Sequence, residues 1–413
     1  MVPDRKLSVA IVISSFFPNV GGAQVTAHNL ARHLTQNGHQ VVMFSAWSSW
    51  RKIGDKKQEL GYPLYPTFPG QQRLMPLLGK LYQFAQNRYF AWMQRRYNFD
   101  VWQSFGTYPS AVSVSGFTAH RNIPHVMRTV GYDIQKDPEV GYGYRFNPKI
   151  ESLIQIWSPR VSKAIALSES VKSDLRDVGV ADHQIEIIPC GVDQPRFEST
   201  VVDRVAIRNK YGIPLDAFAY VTVGRNHPKK GFPILLDALA EMKSARTIGK
   251  AHAVFVGLRM SDLLPRAIEL GIEDRVTLIE ELGHDSNDRE YRIPSAPLVE
   301  LYKSVNACTF PSLIETFAMI NIEAMAAGIP VISTDAPGCV ETINDGVDGL
   351  ISKAGDPIDL ARKMEQLQSS TDLQAKLSAA GQESVRNSFS WDVVGRLFEN
   401  LYFSLTTDPD KSA

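Results

Sequence analysis

Residues 7–46 read LSVAIVISSFFPNVGGAQVTAHNLARHLTQNGHQVVMFSA. The first eight, LSVAIVIS, are an apolar run rich in Val and Ile, the composition of a buried strand. A loop with Gly21 and Gly22 follows. Val25, Leu30 and Leu34 then recur at helical spacing, and Gly38 stands where a helix closes on a left-handed residue. QVVMFSA (40–46) returns to strand texture. Parallel strands need a crossover long enough to hold a helix, so strand, helix and strand in succession predict a parallel sheet with helices on its faces.

The alternation continues outward. DVWQSF (100–105), PHVMRTV (124–130), KAIALS (163–168) and IEIIP (185–189) are further strand candidates. After IIPCGVDQPRF (187–197) a polar stretch intervenes and a second series begins: AYVTVG (219–224), AVFVG (253–257), RVTLIE (275–280), VNACTFP (305–311) and PVIST (330–334). Between these lie helical stretches. PILLDALAEM (233–242) carries proline in its first turn, and NIEAMAAG (321–328) ends in glycine. At 413 residues the chain exceeds what one core supports. The reading is α/β, with two doubly wound, Rossmann-like domains at 1–194 and 195–390 and no solenoid repeat.

Composition narrows the class. With 44% hydrophobic and 21% charged residues the chain reads as globular rather than disordered or fibrous. No apolar run approaches the roughly 18 residues that cross a bilayer, and the first residues lead directly into a strand, so a cytoplasmic location is expected. Cys190, Cys308 and Cys339 are odd in number and far apart, which suits a reducing compartment and offers no metal-ligand spacing. The zero net charge hides an asymmetry: residues 1–190 hold 21 basic and 13 acidic side chains, and 191–413 hold 23 and 31. The basic half suits a phosphate-bearing or membrane-bound substrate, or simply attraction between the two halves.

Doubly wound sheets bind ligands where loops leave the C-terminal ends of strands and meet helix N-termini. Three loops qualify. FFPNVGGAQ (16–24) has paired glycines, which suit either a tight turn or close approach of a ligand to the backbone, without the GxGxxG spacing of a dinucleotide site. VGRNHPKKGF (223–232) gathers Arg225, Lys229 and Lys230 before a helix, either a receptor for diphosphate or a solvated basic loop. The third is PSLIETFAMINIEAMAAGIPV (311–331), which holds Glu315 and Glu323 in an otherwise nearly uncharged run. If helical, it would set the two carboxylates about 12 Å apart and within about 80° of one direction. Ionised carboxylates only accept hydrogen bonds, so with no basic neighbour in the run they suit hydroxyl-rich partners, a sugar at one end and a ribose at the other.

That stretch, with PS before it, two glutamates separated by seven residues and EAMAAGIPV after, resembles the signature of retaining glycosyltransferases of the GT-B fold, family 4 type (glycosyl transferases group 1). GGAQ, IIPCGVDQPRF, VGRNHPKKG, PGCVETINDGVDGLI (337–351) and FSWDVVGRLFENLY (389–402) resemble its glycine loop, interdomain sequence, phosphate loop, following segment and last helix. The resemblance implies a deep interdomain cleft and a final helix, about 391–405, returning to the N-terminal domain. It implies that Glu315 binds donor hexose hydroxyls and Glu323 the donor ribose. Arg225 and Lys230 would hold the diphosphate and neutralise the leaving group. The amides of Thr316, Phe317 and Ala318 would approach sugar and phosphate, and Gly21 and Gly22 the donor phosphates. A nucleotide-diphosphate sugar is then the co-substrate and no separate cofactor or metal is expected, since the basic residues supply the charge a metal would bring.

One position departs from the family pattern. Where many relatives carry a histidine before a glycine, RTVGYDIQ (128–135) has Val130. His120 and His125 lie upstream, and Asp133 is the nearest polar candidate for the substrate. In such enzymes the departing phosphate takes the acceptor's proton, so stabilisation of the diphosphate carries most of the catalysis. The expected acceptor is a saccharide or lipid-linked saccharide of polysaccharide or lipopolysaccharide assembly, with no nucleic acid partner. Residues 74–99 are apolar and aromatic, with Arg88, Arg95 and Arg96 interspersed and Arg73 and Lys80 at their start. They suit an amphipathic helix resting on an anionic membrane, or a surface helix packed on the sheet with solvated basic residues. Two other classes remain: a nucleotide-sugar-binding protein without turnover, and an NAD-dependent oxidoreductase or epimerase, for which the GxGxxG fingerprint is missing.

Overall fold

The computed structural model describes residues 5–19, 21–138, 141–280, 282 and 294–406. The chain divides into two compact units, one of residues 1–191 with 391–413, the other of residues 192–390. The reading of residues 1–4 as a lead-in to the first strand, and Val20 of the glycine loop, fall outside the described residues.

The first unit is built on β1 (Ser8–Ile13), β2 (Gln40–Ser45), β3 (Leu64–Pro66), β4 (Val101–Phe105), β5 (His125–Arg128), β6 (Lys163–Ala166) and β7 (Ile185–Ile187). They form a parallel sheet in the order β3-β2-β1-β4-β5-β6-β7. β1 is buried at every residue, which is why its sequence is continuously apolar instead of alternating. On one face Phe44 stacks on Trp102 at 5.7 Å, and Phe90, Met93 and Phe117 close the cluster around them.

The second unit repeats the plan with β8 (Phe218–Val223), β9 (Ala251–Val256), β10 (Val276–Ile279), β11 (Ala307–Thr309), β12 (Val331–Thr334) and β13 (Leu350–Ser352), ordered β10-β9-β8-β11-β12-β13 and parallel. The two strands absent from the sequence reading are β3 and β13. Both are three-residue edge strands, too short to show a period, and β3 ends on a proline tolerated only at an edge. In each unit the connection reverses direction at one place, between β1 and β4 and between β8 and β11. Those are the topological switch points, where loops part and leave a crevice for a ligand.

Helix Trp391–Thr406 belongs to the first unit and packs on helix Gly22–Gln36. Its anchor is Glu399, 2% exposed. Asn37 Nδ2 donates to its Oε1 at 2.7 Å, with His39 Nε2 and His33 Nε2 at 3.3 and 3.5 Å. His39 Nδ1 accepts the Leu7 amide, so the proton of the neutral ring sits on Nε2, aimed at Glu399. Burial alone would raise this carboxyl, but the three donors outweigh it and hold it far below the ordinary range. Tyr402 adds a hydroxyl bond to Gln103 at 2.9 Å, and the Arg128 guanidinium lies 5.4 Å from the Phe398 ring.

A depressed carboxyl stabilises the fold above its unfolded value and loses that contribution as pH falls through the folded one. Glu399→Ala should therefore lower stability at neutral pH by about 1–3 kcal/mol, the cost of stranding buried donors, and the deficit against the parent should shrink in acid. Urea denaturation of both proteins at pH 7 and pH 4 checks this.

Candidate active site

In the second unit the loop after β8 runs from Gly224 through a short turn at Pro228–Lys230 to helix Phe232–Ser244. Gly231 caps that helix at φ 62°, and a Cβ there would sit 2.0 Å from the Pro311 carbonyl oxygen. Only glycine combines that backbone with that approach. The loop after β11 is joined to it: the Leu313 amide donates to Lys229 O at 2.8 Å, and the Ser312 hydroxyl lies 2.8 Å from the same oxygen. On its other side the Glu315 amide donates to Pro337 O at 2.9 Å. Gly338, at φ 78°, lies so close to the Glu315 carbonyl that a Cβ would be 2.1 Å from it.

Glu315 sits in this clamp, 5% exposed. Lys230 Nζ reaches its Oε1 at 2.5 Å and Lys229 Nζ its Oε2 at 3.2 Å. Burial would raise the carboxyl, but the two ammonium groups prevail and hold it below the usual carboxylate value. This corrects two sequence expectations. The run is not one helix across both glutamates, because helix Met319–Ala326 begins after Glu315. Nor is Glu315 without a basic partner: its cations come from a loop more than eighty residues earlier in the chain.

Glu323 does lie on that helix and is buried. The Tyr302 hydroxyl, fully buried on helix Ala296–Ser304, donates to Glu323 Oε2 at 3.0 Å. Burial pushes the Glu323 carboxyl up to about 7, against the lowering effects of the Tyr302 hydrogen bond and the Lys230 charge. The carboxylates thus differ in state: Glu315 is ionised, while Glu323 titrates near neutrality.

The backbone amides of Thr316 and Phe317 have no acceptor among the described residues. The Ala318 amide was expected beside them, but it donates to Gly338 O at 2.9 Å and is engaged. Arg225 is exposed and makes no hydrogen bond or ion pair among the described residues. His227 stands within the same loop. Burial chiefly, then the charges of Lys229, Arg225 and Lys230, lower its imidazole. The structure therefore brings Arg225, Lys230, Glu315, Thr316 and Phe317 onto the two loops that flank the β8/β11 switch point, with Glu323 on the helix that follows.

The first-unit candidates fare differently. Gly21 is extended at φ −168°, a conformation open to any residue, and Gly22 opens helix Gly22–Gln36, which has no side-chain cap and no acidic residue in its first turn. The helix follows β1 in the chain, and its leading amides have no side-chain cap. Asp133 does not fit a substrate role. Its carboxylate is buried and accepts the Thr107 amide at 2.6 Å and the Val130 amide at 3.0 Å, binding the loops after β4 and β5 together. Burial raises this carboxyl despite those bonds. His125 is buried between the Ser104 and Ser115 hydroxyls, and burial lowers it to about 3, so it stays neutral and structural. His120 is exposed at a helix end. Sequence reasoning missed Tyr302, Ser312 and Gly338. Ser312 and Gly338 lie in stretches that resemble the family's, but their roles, like that of Tyr302, come through partners distant in the chain.

Two Rossmann-like units, each a parallel sheet with its own switch point, define an α/β protein of GT-B type. The family model for glycosyl transferases group 1 matches residues 203–384, and that for glycosyltransferase family 4 matches residues 20–196. The chain belongs to this glycosyltransferase family. It is 28% identical over 244 residues to a D-inositol 3-phosphate glycosyltransferase of Salinispora arenicola, covering 56% of this chain and 52% of that protein. It is 32% identical over 209 residues to that of Mycolicibacterium smegmatis, covering 50% and 44%. The chain thus spans about half the length of the curated relatives it matches. Among solved structures, a glycosyltransferase from Rickettsia africae superposes with a TM-score of 0.77 at 20% identity, covering 97% of this chain and 99% of that one. Anabaena HepE in complex with UDP gives 0.76 at 19%, covering 96% and 100%.

The Lys230–Glu315 contact should show as coupling. In a double-mutant cycle, Lys230→Met and Glu315→Gln should together destabilise the fold by less than the sum of the single changes, with an interaction energy of about 0.5–3 kcal/mol, measured by chemical denaturation.

Proposed function

We propose that the protein transfers a hexose, with retention and without a metal, from a nucleotide-diphosphate sugar to a saccharide or lipid-linked saccharide acceptor in polysaccharide or lipopolysaccharide assembly. The observation that carries this reading is the pairing of Lys229 and Lys230 with Glu315 beside the amides of Thr316 and Phe317, which have no acceptor among the described residues. A diphosphate offers the ammonium groups and amides the acceptors they suit. In taking them it releases Glu315 toward sugar hydroxyls. UDP-sugars are the first donors to test, since UDP is what the HepE structure holds.

In the reaction, the bond from the anomeric carbon to the phosphate oxygen breaks and the acceptor oxygen bonds to that carbon on the same face. The acceptor proton passes to the departing phosphate oxygen. Arg225 and Lys230 stabilise the charge that grows on the diphosphate, as fixed cations placed on the loop beside it. Glu315 orients the sugar as its bond lengthens. Tyr302 holds one oxygen of Glu323 and leaves the other for the ribose.

The two glutamates should separate in a binding and transfer experiment. Glu323→Ala removes a contact to the part of the donor that remains in the product, so UDP affinity should fall by about 1.5–3 kcal/mol in calorimetry. Glu315→Ala should leave UDP affinity unchanged or higher, because it removes the carboxylate that competes with the diphosphate for Lys230, while turnover of a UDP-sugar falls sharply. Equal losses of UDP affinity in both variants would overturn the assignment.

Glu323 also sets a pH dependence. Its folded value of about 7 lies above the ordinary 4.5, so between those values the folded chain keeps a proton that the unfolded chain has lost, and this group lowers stability as pH rises. A ribose hydroxyl donates best to the ionised form. UDP-glucose, whose diester phosphates do not titrate in this range, should bind up to tenfold more weakly for each pH unit below about 7. Glu323→Gln should flatten that slope in calorimetry from pH 5.5 to 8.

A further inference from the structure

Helices Gln71–Leu78 and Lys80–Tyr97 of the first unit each bury one side. Met75 in the first, and Tyr82, Gln86, Phe90 and Met93 in the second, face the unit's core. The other side is open and apolar: Leu77 is 73% exposed, Leu81 67%, Phe84 62% and Trp92 52%, with Leu74 and Leu78 also exposed. Leu81, Phe84, Arg88, Trp92 and Arg95 follow one another at intervals of three or four residues, so they form a single stripe along the helix. From Leu60 to Phe99 there is no acidic residue, while Arg73, Lys80, Arg88, Arg95 and Arg96 are basic. Arg73, Lys80, Arg88 and Arg95 have no ion-pair partner among the described residues.

We propose that this face docks on an anionic lipid surface. Apolar side chains beside long basic ones match a bilayer interface, where aliphatic and aromatic groups sink below the headgroups and the cations reach up to the phosphates. The Arg96 guanidinium, 5.8 Å from the exposed Trp92 ring, adds an aromatic–cation pair of the kind suited to that boundary. A second copy of the chain is a poor occupant, because a two-fold contact would bring the same acid-free basic surface against itself. An anionic lipid surface supplies the missing negative charge, each basic residue gaining from its potential.

The placement gives the docking a purpose. Helix Gln71–Leu78 follows the end of β3, at the same C-terminal edge of the sheet where the loop after β1 leads to Gly21 and Gly22. A lipid-linked acceptor would thus be presented beside that edge. This purpose rests on the proposed transfer reaction; the docking itself does not.

Co-sedimentation with vesicles of phosphatidylcholine alone, and of phosphatidylcholine mixed with phosphatidylglycerol, tests the proposal on the full chain. The parent should bind only the mixed vesicles. The triple variant Arg73→Gln, Lys80→Gln, Arg88→Gln should bind them more weakly by roughly fivefold per charge removed. The triple variant Leu77→Ser, Leu81→Ser, Phe84→Ser should lose binding, while both variants keep parental UDP affinity as a check of folding. Absence of parent binding, or equal partitioning of parent and both variants, overturns the proposal. So does a dimer in analytical ultracentrifugation that the serine variant abolishes while no vesicle binding is seen. Vesicle binding without UDP binding by the parent would instead count against the proposed reaction and leave the docking standing.

Discussion

The second unit depends on one carboxylate placed between two ammonium groups. Glu315 comes from the loop after β11, and Lys229 and Lys230 come from the loop after β8. Burying a lone carboxylate is costly, and removing either kind of partner would leave an uncompensated charge. The pair therefore fixes how the two loops of the switch point meet. Main-chain bonds from Leu313 to Lys229 and from Glu315 to Pro337 carry the same constraint outward, and the glycines at 231 and 338 allow the strands of loop to approach that closely. Two amides, at Thr316 and Phe317, are left with no acceptor among the described residues in the middle of this clamp.

The same burial acts in opposite ways on two glutamates eight residues apart. At Glu315 two cations outweigh desolvation, and the group is held ionised. At Glu323 the partners are a tyrosine hydroxyl and a less direct influence of Lys230, which do not outweigh it, and the carboxyl rises toward neutrality. In the proposed reaction this difference suits their tasks. The ionised group sits beside charges that a diphosphate would claim, and the other waits for neutral hydroxyls that favour its ionised form.

The first unit distributes its polar groups differently. Glu399, Asp133 and His125 are all buried and all satisfied by neighbours within the unit, so each fastens elements together: the last helix, the loops after β4 and β5, and the strands themselves. What that unit exposes is instead a two-sided helix, whose outward stripe is apolar and basic while its inward face is ordinary core. A helix of that kind has met one partner already and has a surface suited to another.

The order of strands and helices was legible in the residues, because buried parallel strands need continuous apolar runs and crossover helices need amphipathic ones. Eleven of the strands lie where LSVAIVIS, AYVTVG and their counterparts predicted, and the two exceptions are edge strands too short to carry a period. The motif around Glu315 and Glu323 and the basic cluster at 225–230 were equally visible, since chemistry of that kind must be written in residue type. The sequence could not say that Lys229 and Lys230 meet Glu315, that Ala318 spends its amide on Gly338 while Thr316 and Phe317 do not, or that Tyr302 holds Glu323. It also left Asp133 as a substrate candidate, although the fold encloses it between two amides. Each of these is a contact between residues far apart in the chain or a matter of burial. Local sequence sets which side chains are available, and only the packed loops at the strand ends decide which of them are satisfied and which remain for a ligand.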